Sequence, residues 1–193
     1  MDIIIAVKAF YYNNDFNTLK MGIAASLKSV FGGKKPIICC IGTDAVIGDS
    51  LGPLVGTLLK EKLLGKTYVY GTLNMPITAK DIDKLSDYLG KIHKSSPVLA
   101  IDAALGAENE IGYIKISDTP IKPGLGVEKK LSEIGSASII AIVEEKNSKN
   151  MLSFVRISTV YALAQVICAG IVEYFDEIED LRSKGEENAR ISL

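Results

Sequence analysis

Histidine is nearly missing from this sequence: among 193 residues there is one, His93. Cysteine is scarce too, and Cys39, Cys40 and Cys168 form no Cys-x-x-Cys pair. A zinc site therefore has almost no candidate ligands, and a disulfide framework is excluded. Buried thiols in a reducing cytosol account for all three cysteines, with Cys39 and Cys40 on opposite faces of one strand. Charge of one sign is also lacking. Against 23 Asp and Glu stand 22 Lys and Arg, a net charge of -1, so no field draws in nucleic acid or an anionic membrane surface. No run reads as long and apolar enough to span a bilayer. The stretch Val155 to Ile171 comes closest, and Arg156, Ser158, Thr159, Gln165 and Gly170 interrupt it as they would a core helix. Asp2 and the want of basic residues near it do not read as a signal peptide.

What is present is apolar patterning. With 48% hydrophobic residues, the chain can bury a core on both faces of a sheet, and we expect a single domain over 1–193. Residues 1–14 are ambiguous between strand and loop. Phe16 to Phe31 has helical spacing at Phe16, Leu19, Ile23, Leu27 and Val30, ended by Gly32-Gly33. Ile37–Ile41 is the first clear strand, followed by a glycine-containing loop and a helix from about Leu51 to Leu64. Thr67–Thr72 alternates as a strand. Thr78 caps a helix over Lys80–His93, with Ile82, Leu85, Leu89 and Ile92 as its stripe and Lys80, Lys84, Lys91 and Lys94 as a solvated face. Pro97 opens a strand ending in Asp102. Gly112–Ile116 and Ser138–Val143 are further strands, a helix runs from about Leu152 to Tyr174, and the charged tail after about residue 177 is expected to fray. Strands alternating with helices predict an α/β fold, doubly wound and layered.

Two aspartates stand just past apolar runs: Asp49, after Cys39-Cys40-Ile41, and Asp102, after Val98-Leu99-Ala100-Ile101. In α/β sheets the crevice at the carboxyl ends of the strands is where ligands bind. Two carboxylates delivered there can share a proton and divide the roles of acid and base. Asp49 or Ser50 could instead cap the following helix, a stabilisation of ~1 kcal/mol. Asp102 must exit into a polar crevice or find a partner, because burying an unpaired charge is costly. Gly42 to Gly52 has the strand–loop–helix layout of an anion site but neither phosphate-loop signature. Ser50 lacks a nucleophile elbow. His93, near a helix end, reads as a surface residue. The loop Thr119 to Gly126 is long and rich in breakers, as loops bordering sites often are.

Gly42 through Pro53, with Asp49-Ser50-Leu51-Gly52-Pro53, resembles the first motif of the germination protease family of spore-forming bacteria. Ala100-Ile101-Asp102-Ala103 resembles its second. Ile116-Ser117-Asp118-Thr119, Ile121 and Pro123-Gly124-Leu125-Gly126-Val127 resemble a third stretch, which precedes a strand similar to Ile139-Ile140-Ala141-Ile142. The match spans roughly residues 36–145 in order, and the shorter sporulation relatives are the nearer likeness. The resemblance implies a three-layer α/β/α sandwich with a mostly parallel, mixed sheet, shared with hydrogenase maturation peptidases. It also implies that Asp49 and Asp102 are the catalytic carboxylates. The maturation peptidases place a nickel-contacting acid at the position of Asp49 and use a downstream histidine, which is lacking after Asp102 here. The shorter relatives lead one to expect a histidine near Pro76-Ile77-Thr78, where this chain has Thr78.

The expected function is thus a cytoplasmic endopeptidase of sporulation or germination, in the forespore or spore interior. Asp49 and Asp102 would activate water, and Asp44, Gly124 and Gly126 would line the substrate groove. Its partner would be a protein or peptide such as a spore protein, with no cofactor, metal, nucleic acid or membrane; self-association is left open. The alternative is a catalytically silent sporulation protein that binds a peptide or partner through the same fold, and a weaker third reading is a metal-sensing processing peptidase.

Overall fold

A computed structural model describes residues 2–6, 16–122, 132–146 and 155–191. In chain order the elements are β1 (Asp2–Ala6), α1 (Phe16–Phe31), β2 (Ile37–Cys40), α2 (Leu51–Lys62), β3 (Val69–Tyr70), α3 (Ile82–Ile92), β4 (Val98–Gly106), β5 (Tyr113–Ser117), β6 (Ala137–Glu145) and α4 (Ile157–Ile191). The six strands form one sheet in the order β1-β5-β6-β4-β2-β3. β3, β2, β4 and β6 are parallel neighbours, β5 adds antiparallel to β6, and β1 adds antiparallel to β5. The sheet is mixed and mostly parallel, as expected.

Alternation along the strands divides the core in two. Ile38, Cys40, Leu99, Ile101, Ile114, Ile116 and Ile139 pack with α1, α2 and α4 on one face. Ile37, Cys39, Ile41 and Ala100 pack on the other with Ile82 and Leu89 of α3 and with Ile121 and Ile134. Cys39 and Cys40 therefore face opposite layers, and all three cysteines are buried and free. Helices on both faces of the sheet make three layers. The α3 stripe is buried at Ile82 and Leu89, while Ile92 at its end is exposed.

Several boundaries differ from the sequence expectation. The strand over Thr67–Thr72 shrinks to Val69–Tyr70. Gly71 has φ +82, and a Cβ there would lie 1.8 Å from the Cys40 carbonyl oxygen, so the chain turns away against β2. The ambiguous N-terminal stretch contributes β1 at an edge of the sheet. β4 does not end at Asp102 but continues to Gly106, because β6 runs beside it that far. α4 is helical through Ile191, past the point where fraying was expected. Ion pairs bind its acidic side to the body: Lys20 to Glu173, Lys28 to Glu177, Lys35 to Glu179, and Lys66 to both Asp176 and Glu179. Contrary to expectation, one helical stretch, Ile157–Gly185, is long and apolar enough by composition to cross a membrane. Its apolar side, including Val160, Leu163, Ile167, Ile171, Tyr174 and Phe175, is packed in the core.

Candidate active site

The chain leaves β2, goes outward through α2 to β3, and returns through α3 to β4 on the other side of β2. The strand order thus reverses between β2 and β4, and the crevice beyond their carboxyl ends is the topological switch point of the sheet. The segment carrying Asp49 leaves the end of β2, and Asp102 lies on β4.

Asp102 sits where β2 stops. The last register pair of the two strands is Cys40 with Ile101, so Asp102 is the first β4 residue with no β2 residue beside it. By alternation it lies on the face of Ala100, opposite Leu99 and Ile101. Its Oδ1 accepts the backbone N–H of Ala103 at 2.9 Å. The residue is half-buried, yet its carboxyl is stripped of most of its water. That desolvation, reinforced by the negative charge of Asp49, holds the carboxyl well above the usual aspartate range, against the opposing pull of the Ala103 N–H.

Asp49 stands in a 3-10 turn, Gly48–Ser50, that runs directly into α2. Burial raises its carboxyl as well, and the backbone N–H of Thr43 lowers it. The expected cap is not formed. Ser50 has φ -79 and ψ -3, in the helical region, and makes no capping bond; its Oγ instead donates back to the Ile47 carbonyl at 2.6 Å. Asp49 is thus freed from a structural duty that sequence alone would assign to it.

Two close backbone approaches set the turn on the end of β2. Gly42 has φ +137, and a Cβ there would fall 2.0 Å from the Asp49 carbonyl oxygen. That oxygen accepts the Thr43 N–H at 3.1 Å. In the first turn of α2, a Cβ on Gly52 would fall 2.0 Å from the Ile41 carbonyl oxygen. No side chain fits at either place. These two glycines, Thr43 and Ala103 are the residues that site reasoning from sequence passed over. The glycines flanking Asp49 were the available signal, whereas backbone donors leave none.

Of the other expected site residues, Asp44 lies exposed on the same loop as Asp49. Gly124 and Gly126 lie outside the described residues. Thr78 is in the segment that follows the Ile41–Ile77 bridge, and its hydroxyl and N–H both donate to Asp81 Oδ2, at 2.7 and 3.0 Å. His93 ends α3 half-buried, its Nε2 2.8 Å from the Tyr70 hydroxyl and its ring against Tyr68 and Tyr88. Among the described residues no group of three His, Cys, Asp or Glu side chains is arranged to hold a metal. Among the described residues, two carboxylates and a histidine engaged by tyrosines do not make a nickel ligand set.

The molecule is an α/β protein with two interacting carboxyls at the switch point of its sheet. The chain belongs to the family described as a protein of unknown function, DUF1256, whose pattern matches residues 8–170. It is 41% identical over 152 residues to the uncharacterized protein YyaC of Bacillus subtilis (strain 168), a match covering 77% of this chain and 73% of that protein. Among solved structures, it is similar to the NiFe hydrogenase maturation protease HycI from Thermococcus kodakarensis KOD1. The TM-score is 0.47 and the identity 23%, over 76% of this chain and 98% of that one.

Proposed function

We propose that the protein is an endopeptidase of the germination-protease type, active in sporulation or germination, in which Asp49 and Asp102 activate water. The observation that carries this reading is the placement of both carboxyls where β2 ends beside β4, with Asp102 holding its proton more firmly through burial first and the charge of Asp49 second. Unequal carboxyls in one crevice divide into base and acid. Asp49 takes a proton from water as its oxygen attacks the peptide carbonyl carbon, and Asp102 gives its proton to the carbonyl oxygen. On collapse of the tetrahedral intermediate the C–N bond breaks. The leaving amine takes the proton held by Asp49, and Asp102 recovers its own. The motif resemblance around Asp49 and Asp102 supports the same assignment. Asp44, Gly124 and Gly126 are proposed to border the groove.

The test is incubation of a spore-protein extract with the purified chain, followed by mass spectrometry of new N-termini. New termini from the unmutated chain, absent with Asp49→Asn and Asp102→Asn, are expected. Termini made equally by all three proteins would remove the aspartates from the mechanism. Binding of a spore protein without any cleavage would favour the silent reading, for which Thr78, tied to Asp81 where a histidine was expected, is the motivating observation.

A further inference from the structure

Among the described residues, no strand pairs with the β2 side of β4 beyond Ile101. The Ile101 carbonyl accepts the Ile41 N–H at 2.8 Å, while the Val98 carbonyl accepts the Ser136 N–H at 2.8 Å on the opposite side. Odd-numbered residues of β4 therefore turn their backbone groups toward β2 and even-numbered ones toward β6, an order kept past the register shift between Ala104 and Leu105, where the Gly106 carbonyl accepts the Lys146 N–H at 2.9 Å. β2 ends its register at Ile101, but β6 accompanies β4 as far as Gly106. Ala103 and Leu105 thus direct N–H and C=O groups into the place β2 has left. A strand edge of this kind is a template for another extended chain. The Ala103 N–H has meanwhile found a makeshift acceptor one residue away, Asp102 Oδ1 at 2.9 Å. Small residues at 103, 104 and 106 leave the edge little shielded by side chains.

We propose that an extended peptide adds to the sheet along this edge, pairing its main chain with Ala103 and Leu105 and replacing Asp102 Oδ1 as the acceptor of the Ala103 N–H. This inference rests on the reading of Asp49 and Asp102 as a hydrolytic pair, and it names the substrate class. The substrate is an unstructured or locally extended segment of a protein, recognised by its backbone, with alternate side chains turned toward the two layers. Arrival of the strand also releases the Asp102 carboxyl from its backbone donor just when a peptide carbonyl comes beside it. A segment held in a helix cannot bind this way, because its backbone groups are already paired.

The test uses the full-length chain labelled with nitrogen-15 and two probes of the same composition: a pool of random decapeptides, and that pool N-methylated at alternate residues. The unmethylated pool should slow amide exchange at Ala103 and Leu105 by roughly tenfold or more, and the methylated pool should not. Equal effects of both pools, or changes confined to other amides, would overturn the proposal. Ala103→Pro removes the donor at a position whose N–H lies outside the ladder. It should keep its cooperative melt and lose the peptide-dependent protection of Leu105. If that variant fails to fold, the exchange measurement on the unmutated chain decides alone. Cleavage that tolerates methylated flanks, with both amides unmoved, would sink strand addition and leave the hydrolytic pair standing. Protection of both amides without any cleavage would do the reverse.

Discussion

Asp102 is the residue on which the site turns, and its environment has a consequence for stability. Its folded pKa lies well above its unfolded value, so the folded state binds more protons between the two. The favourable contribution is complete below the unfolded value of about 4 and is lost as pH rises through the folded one. Asp102→Asn removes the ionisation and keeps an oxygen for the Ala103 N–H. The variant should therefore melt higher than the unmutated protein at neutral pH, with the two melting temperatures converging below about pH 4. Thermal melts across that range check this, and no gain at neutral pH would mean an ordinary, solvated carboxylate. Part of this was legible beforehand: an aspartate directly after Leu99-Ala100-Ile101 has to leave the core or find a partner. That the partner would be the next backbone N–H was not legible, because such bonds depend on where a neighbouring strand stops. The capping expectation for Asp49 and Ser50 failed for a similar reason. It required an extended backbone at the cap, and a 3-10 turn supplies a helical one.

At the scale of elements, α2 is held against the strands by glycines. Gly52 meets Ile41, and a Cβ on Gly56, one turn later, would fall 1.8 Å from the Gly71 carbonyl oxygen. Both obstacles are backbone, which cannot swing aside. Gly52→Ala and Gly56→Ala should each destabilise the fold by about 3 kcal/mol, the upper part of the range for overpacking. Gly90→Ala on the exposed side of α3 meets nothing within 4 Å and should stabilise by about 0.5–1 kcal/mol through helix propensity. Urea unfolding of the three variants tests the contrast, and equal effects would contradict the close packing. Periodicity revealed α1 and α3 well because each buries one stripe. β3 was overread because Tyr68, Val69 and Tyr70 carry strand propensity, whereas pairing with β2 reaches only Val69 and Tyr70. α4 was underread beyond Tyr174 because the sequence there turns charged, and the lysines that pair with Asp176, Glu177 and Glu179 come from distant parts of the chain.

For the whole molecule, alternation of strands and helices revealed the α/β class, but strand order is invisible locally. The return of the chain to the far side of β2 is what brings two aspartates 53 positions apart into one crevice. If they act as base and acid, neutralising either should lower peptidase activity by about 100-fold or more. The rate should fall at acid pH as Asp49 gains a proton and at alkaline pH as Asp102 loses one. A pH–rate profile with one limb only would remove one of the two from the mechanism.

The coupling of the two carboxyls is tested most directly by carbon-13 NMR titration of the Asp102 carboxyl, in the unmutated chain and in Asp49→Asn. Asp102 should titrate well above the usual aspartate range, and its pKa should fall when Asp49 is made neutral, since the Asp49 charge is one of the two causes that raise it. An Asp102 that titrates in the ordinary range, or that ignores the change at Asp49, would contradict the paired-carboxylate site.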